Sequence, residues 1–348
     1  MTYPWQWLWD SCFHAVVWAH LGDDRAAAEL RSALSAQDDD GFVPHLRYGP
    51  GTSPHGALWG RDGTSTITQP PMYGHAIAEL GRRGIAVDDE LVDRAEHGLR
   101  FLLHRRRRSS AGLVELCHPW ESGCDDSPRW DDAVPRGWTP PAWFDRKGEL
   151  VTGIERTAHG APVHNPAFAV GSVGFSALVA WNAGELASVT GSTDLEGAAA
   201  ELTGAIDARW DEGRRTWVDD GSFATGSGAV RTADGLLPLL VAPRAAAVEE
   251  LLDPGAFGAP FGPRGVHRAE PTYAPATYWR GPAWPQVTYL LWRAATSSGA
   301  LEAAASLSRS MVEGAVASGY AEYWEADTGR ALGAVPQTWS ALAMVVGA

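Results

Sequence analysis

Three alanine-rich stretches each open at a glycine: "GDDRAAAEL" from Gly22, "GSTDLEGAAAEL" from Gly191 and "GALEAAASL" from Gly299. Each follows an aromatic-rich helical pattern, so a glycine separates two helices of different composition. The gaps between the stretches fall near multiples of about 55 residues, a suitable length for two helices and their loop. Recurrence on that scale marks a stacked helical repeat, and six such pairs would fill a chain of 348 residues. The spacing predicts an all-α fold, an (α/α)6 barrel or toroid. Inner helices would form a ring, outer helices would back it, and long loops would gather at one end. Residues 1–348 are expected to form one domain.

Local patterns agree. In "DDELVDRAEHGLRFLLHR", Leu91, Ala95, Leu99 and Leu102 fall on one helical face. "TQPPMYGHAIAEL" and "GPAWPQVTYLLWRAATSSG" read as helices with proline in the first turn, where a missing N–H does no harm. The second should stop at Gly299. Between the helices lie "YPWQWLWDS", "DGFVPHLRY", "HPWESGCDDSPRW", "TYWRGPAW", "EYWEADTG" and "PQTWS". These loops carry most of the Trp, Asp, Glu, Gln and His, and loops on a rigid scaffold are where function concentrates.

Composition narrows the chemistry. A net charge of -14 excludes nucleic acid as a partner, because phosphates need clustered Lys and Arg. The basic run Arg105–Arg108 ends a helical pattern and is expected to be a solvated patch that complements the helix dipole. Cys12, Cys117 and Cys124 form no metal-like spacing and no disulfide framework, which suits a reducing compartment. No apolar run reaches membrane-spanning length, and "MTYPWQWLWD" has neither the basic start nor the cleavage site of a signal peptide. The expected location is the cytoplasm, with no membrane partner. No HxH, HExxH or CxxC pattern marks a metal site, and no GxGxxG or Walker loop marks a nucleotide site. No metal or other cofactor is expected. His14, His45 and His118 read as hydrogen-bonded loop or core residues.

The chain holds 17 tryptophans, many beside Gly, Pro, Asp or Gln rather than on helical stripes. Indole N–H needs a partner when buried, so indole is costly as simple filler. A cleft of flat apolar faces suits the C–H faces of sugar rings, and a small carbohydrate is the expected ligand. Cleaving a glycosidic bond needs two carboxyl groups. One is protonated and gives its proton to the departing oxygen; the other is ionised and attacks carbon or activates water. Asp125 lies between Trp120 and Trp130, where burial beside indoles raises a carboxyl pKa. Glu322, beside Tyr323 and Trp324, is the candidate partner from a distant loop. Other acids, such as Asp38–Asp40, Asp219 and Asp220, read as caps and loop ion pairs.

Eight motifs in order resemble one family. They are "YPWQWLWDS" (3–11), "DGFVPH" (40–45), "TQPP" (68–71), "HPWESGCDDSPRW" (118–130), "NPAF" (165–168), "YWRGPAW" (278–284), "EYWEADTG" (322–329) and "PQTWSALA" (336–343). The chain is similar to the mannosylglycerate and glucosylglycerate hydrolases, within the glycoside hydrolase family 63 group of (α/α)6-barrel α-glycosidases. The resemblance implies an inverting mechanism with Asp125 as general acid and Glu322 as general base. It implies a sugar pocket of Tyr3, Trp7, Asp10, Gln69, Trp120, Tyr278, Trp279, Arg280, Trp284 and Gln337. Glu121 is expected to orient a neighbour or a sugar hydroxyl, and Arg280 to pair with a buried acid or a substrate carboxylate. Relatives usually carry Asn where this chain has Asp126, which would raise the pKa of Asp125 if both face the pocket and could otherwise cap the next turn. They also carry a helix ahead of the first motif, which here begins at Tyr3, so the expected toroid either lacks an outer helix or starts upstream. Two other functions fit the same loops: an exo-α-glucosidase of trehalase or debranching type, and a non-catalytic sugar-binding protein.

Overall fold

The computed structural model describes residues 5–49, 55–223, 226 and 229–347. The described residues form twelve α-helices, ten of them in two layers and two, Gly56–Trp59 and Pro140–Thr152, in the long connections. They are α1 (Leu8–His20), α2 (Arg25–Leu34), α3 (Gly56–Trp59), α4 (Tyr73–Arg82), α5 (Asp89–Arg100) and α6 (Pro140–Thr152). They continue as α7 (Val173–Thr190), α8 (Thr193–Asp207), α9 (Ala245–Leu252), α10 (Pro285–Ser297), α11 (Leu301–Ala317) and α12 (Leu342–Val346).

Six inner elements close a ring. α1 packs on α4, α4 on α7, α7 on the 3-10 segment Ala233–Leu240, that segment on α10, α10 on α12, and α12 on α1. Behind them stand α2, α5, α8, α9 and α11, each packed on the inner element it follows. This is the (α/α)6 toroid. Among the described residues the outer layer has five helices, and none stands between α11 and α2.

Sequence explains the layering. α7 buries residues on every side, from Val173 and Phe175 to Trp181 and Leu186, as an element enclosed by neighbours must. Its outer partner α8 buries one stripe, Leu195, Ala199, Leu202 and Ile206. Gly22, Gly84, Gly191 and Gly299 all sit at the turn from an inner to an outer helix, with φ of 69°, 72°, 74° and 74°. A left-handed residue ends the inner helix there, and glycine adopts it without steric cost. That recurring turn is the physical origin of the sequence repeat. Even spacing is broken by the excursion 106–172, which carries α6 and the loop with Asp125. Pro285 opens α10 as expected. Pro70 and Pro71 do not sit inside α4, which begins at Tyr73; a residue before proline is driven out of the helical region, so the helix waits.

Extended backbone is confined to short ladders that tie loops together. Gln6–Trp7 pairs with Leu46–Arg47, Glu115–Leu116 with Val170–Gly171 and then Asp220–Gly221, and Tyr323–Trp324 with Ala331–Leu332. No helix among the described residues is long and apolar enough to cross a membrane. The three cysteines are buried and free.

The inner ring is tight where α4 crosses α7. A Cβ on Gly74 would lie 2.4 Å from the Asn182 carbonyl oxygen, while the Asn182 side chain accepts from the His75 N–H at 2.8 Å. Gly74→Ala is expected to cost about 1–3 kcal/mol through overpacking, measurable as a lower melting temperature with the helical circular-dichroism spectrum retained.

Candidate active site

Five loops and the start of α1 converge on one pocket of about 190 Å³. Its walls hold Trp7, Trp9 and Asp10 from the α1 entry, Gln69 before α4, and Gly123 and Asp125 from the acid-bearing loop. Tyr278, Trp279, Glu322, Gln337 and Trp339 complete them. Asp125 and Glu322, some two hundred residues apart in the chain, therefore face the same small space.

The loop "HPWESGCDDSPRW" is two 3-10 turns, Pro119–Ser122 and Pro128–Ala133, with Asp125 between them. Ser122 Oγ donates to the Pro119 carbonyl at 2.6 Å and accepts from Cys124 N at 3.0 Å. The Trp130 indole donates to the Cys124 carbonyl at 2.8 Å. Gly123 has φ 74°, and a Cβ there would meet the Trp9 ring at 2.6 Å. The acid-bearing loop thus rests directly on an indole of α1. Glu322 opens the hairpin that pairs Tyr323–Trp324 with Ala331–Leu332. Its Oε2 accepts from Ala334 N at 2.9 Å, and its carbonyl accepts from the Trp339 indole at 2.9 Å.

The floor is aromatic. The Trp279 and Trp284 rings stack at 3.7 Å, tilted by only 2°, and Trp284 stacks on Tyr323 at 4.3 Å. Trp279 holds this place with φ 53°, a costly backbone conformation for a bulky residue.

Electrostatics separate the acids. Burial pushes the Asp125 carboxyl well above the usual carboxylate range, and the charges of Asp126, Asp10 and Glu322 push the same way against the opposing pull of Lys147. Burial raises Asp10 to about 6, partly offset by His14. Asp126 turns away from the pocket. Its Oδ1 accepts from Lys147 Nζ and from the Trp143 indole, both at 2.8 Å and both on α6. It therefore acts on Asp125 by charge from outside the pocket wall, and its side chain caps no turn.

The structure sorts the other candidates. Trp7, Asp10, Gln69, Tyr278, Trp279 and Gln337 line the pocket, whereas Tyr3 lies outside the described residues. Trp284 lies behind Trp279. Trp120 belongs to a satellite cluster with Leu46, Tyr48 and Trp59, its ring 4.5 Å from that of His118. Arg280 pairs in two-pronged fashion with Asp131 at 2.8 and 2.6 Å and lies over the Trp138 ring. Trp9, Gly123 and Trp339 reach the pocket without having been singled out by the sequence. Trp9 and Trp339 stand within matched motifs, next to Asp10 and two residues after Gln337.

Glu121 does not line the pocket and meets no sugar hydroxyl there: it is fully buried and clasped by Arg106 at 2.7 and 2.8 Å. The basic run is accordingly only in part a solvated patch: Arg105 and Arg107 are exposed, whereas Arg106 is drawn into the core. Arg106 is 3% exposed, Arg105 pairs with Asp40, and Arg108 donates to the carbonyls of Leu103 and Gly112. Carboxylates elsewhere in the chain pair with Arg105 and Arg106, while Arg108 is held by nearby carbonyls. His45 and His118 bond Ser65 Oγ and the Lys147 carbonyl, and burial drives both rings down to about 3.

His75, Glu79 and Glu185 bring three potential ligand atoms within 4.8 Å of one another. Arg82 contacts both carboxylates and His75 Nε2 bonds the Tyr289 hydroxyl, so the group reads as an ion-pair clasp between α4, α7 and α10. Glu121→Gln would leave the Arg106 cation buried without its counter-charge. Breaking such a pair costs about 3–5 kcal/mol, so this variant is expected to lose thermal stability more than any pocket variant, as read by calorimetric melting.

Known proteins resemble this arrangement throughout. The model of the mannosylglycerate hydrolase MGH1-like glycoside hydrolase domain matches residues 3–340. A mannosylglycerate hydrolase of Thermus thermophilus is 28% identical across 97% of this chain and 93% of its own. Glucosylglycerate hydrolase of Mycolicibacterium hassiacum is 30% identical across 99% and 92%. The crystal structure of a family 63 mannosylglycerate hydrolase from Thermus thermophilus, in complex with Tris and D-glycerate, superposes with a TM-score of 0.84. It is 26% identical over 99% of this chain and 94% of that one. With its ring of helices and its carboxylate-and-indole pocket, the chain belongs to the MGH1-like glycoside hydrolases.

Proposed function

We propose that the chain is an inverting α-glycosidase acting on a small α-glucoside or α-mannoside, with a glycerate glycoside as the first candidate substrate. The observation that carries this is the pairing in one pocket of Glu322 with Asp125, whose surroundings hold its proton. Asp125 gives that proton to the glycosidic oxygen as the bond to the anomeric carbon breaks. Glu322 takes a proton from water, whose oxygen bonds to the same carbon on the opposite face. Asp10 and Gln69 hold ring hydroxyls, while Trp7, Trp9 and Trp279 give the ring apolar faces and exclude bulk water. The glycerate aglycone is suggested by the substrates named in the relatives. All 348 residues act as one catalytic domain, and the free buried thiols suit a cytoplasmic setting.

Asp125→Asn and Glu322→Gln are each expected to lower kcat by about 10²–10⁴-fold or more. NMR of wild-type product should show the β-anomer first; an α-anomer would overturn the mechanism. Asp125 binds its proton more tightly in the folded than in the unfolded state. Its ionisation therefore erodes stability as pH rises above the unfolded pKa. Asp125→Asn should consequently melt at or above the wild-type temperature at pH 7.

The pH profile has a definite sign. A general acid works only while protonated, so kcat/KM falls as pH rises through its pKa. Asp126→Asn removes a charge that favours the proton on Asp125, and the alkaline limb should move to lower pH. Lys147→Met removes a charge that opposes it, and the limb should move to higher pH. Unmoved limbs in both variants would remove Asp125 as the group titrating there.

A further inference from the structure

Glu322 opens a hairpin whose returning end passes directly behind its carboxylate. Glu322 N donates to the Ala334 carbonyl at 2.8 Å, and Ala334 N donates back to Glu322 Oε2 at 2.9 Å. The carbonyls of residues 320–322 are all taken by the segment that follows. Tyr320 O accepts from Gln337 N at 2.8 Å, Ala321 O from Ser340 Oγ, and Glu322 O from the Trp339 indole at 2.9 Å. The far end of the hairpin is anchored too, since Asp327 pairs with the buried Arg264 guanidinium and Glu325 with Arg330. The backbone at Glu322 is therefore fixed, and the direction of its side chain is what remains to be set.

Gly333 stands at that point. It is exposed, so no core packing excludes a side chain there. Its φ is 68°, and a Cβ would overlap Glu322 Oε2 and lie 2.6 Å from Tyr323 Cε1. Atoms that close must move apart. The Tyr323 ring is held by its stack on Trp284 at 4.3 Å. The carboxylate ends a flexible chain and gives way most cheaply, losing its bond to Ala334 N. A methyl group at residue 333 would thus turn the carboxylate without unfolding the hairpin. Gly299 offers the contrast: its φ is 74°, yet nothing lies within 4 Å of a Cβ built on it. Left-handed backbone alone accounts for a glycine there; at residue 333 the carboxylate also occupies the place of the side chain.

A base must stand within hydrogen-bond reach of the water it activates, and a misplacement of about 1 Å can cost about 10²-fold in rate. We propose that Gly333 is a positioning residue for the reaction. By presenting bare backbone to Glu322 it lets Ala334 N hold Oε2, and so fixes the direction in which the carboxylate meets the attacking water. The inference rests on the reading of Glu322 as general base.

The test uses α-glucosyl fluoride and α-mannosyl fluoride. Fluoride leaves with the bonding electrons and needs no proton from Asp125, while the attacking water must still give a proton to the base. Gly333→Ala is expected to lower kcat by about ten-fold or more, with KM changed by less than about three-fold. Gly333→Asn carries the same Cβ on a residue that tolerates the left-handed conformation, and should lose kcat likewise. Gly299→Ala should lower the melting temperature and leave kcat within about two-fold of wild type. In the Glu322→Gln background, Gly333→Ala should change kcat by less than about two-fold, because its effect runs through the carboxylate. Near wild-type kcat in the two Gly333 variants beside a crippled Glu322→Gln would overturn the proposal, as would an undiminished loss in the Gln background. Wild-type rates in Glu322→Gln, or no cleavage of either fluoride by the wild type, would instead remove the reading of Glu322 as base and the inference with it, so the two failures are told apart.

Discussion

Four N–H groups converge on the buried carboxylate of Glu121. Two come from the Arg106 guanidinium, one from Thr68 N at 3.2 Å and one from Cys117 N at 2.7 Å. This contact joins the turn that follows α5, the segment that presents Gln69, and the base of the loop that presents Asp125. An ion pair in full burial contributes little net stability, but it is geometrically demanding, since each oxygen must be met. Its value to this protein lies in register: three chain segments from different parts of the sequence are held so that their side chains meet in one pocket.

The same logic explains how the acids divide their tasks. Carboxylates that hold the scaffold each meet a cation: Asp219 and Asp234 meet Arg129, Asp131 meets Arg280, and Glu185 meets Arg82. Asp125 instead stands among other acids. Burial without a matching cation keeps a proton in place, which is what the role proposed for Asp125 requires at neutral pH. The network around Asp126 and Lys147 then adjusts how firmly the proton is held.

Much of this was visible in the sequence. Helical periodicity and the inner-to-outer glycine turns carry local information, so the toroid could be read from Gly22, Gly191 and Gly299. The loops that form the pocket were legible because chain-breakers, indoles and acids are concentrated in them. What stayed hidden depends on partners far along the chain. Glu121 and Asp125 are both acids in one loop, and only the position of Arg106 separates the clasped one from the pocket one. Arg106 itself looked solvated because its run is basic and ends a helix. Trp120 and Trp9 are equally aromatic, yet one packs with His118 and Trp59 while the other supports Gly123 in the pocket wall. Residue type does not encode that difference.

Trp279 adds a last consequence. A bulky residue in a left-handed conformation carries a cost of about 1–3 kcal/mol, and the closed stack with Trp284 and Tyr323 keeps it there. That cost is met during folding, before any sugar arrives. The platform is thus preorganised, and an incoming ring need not immobilise a mobile indole to gain its contact area.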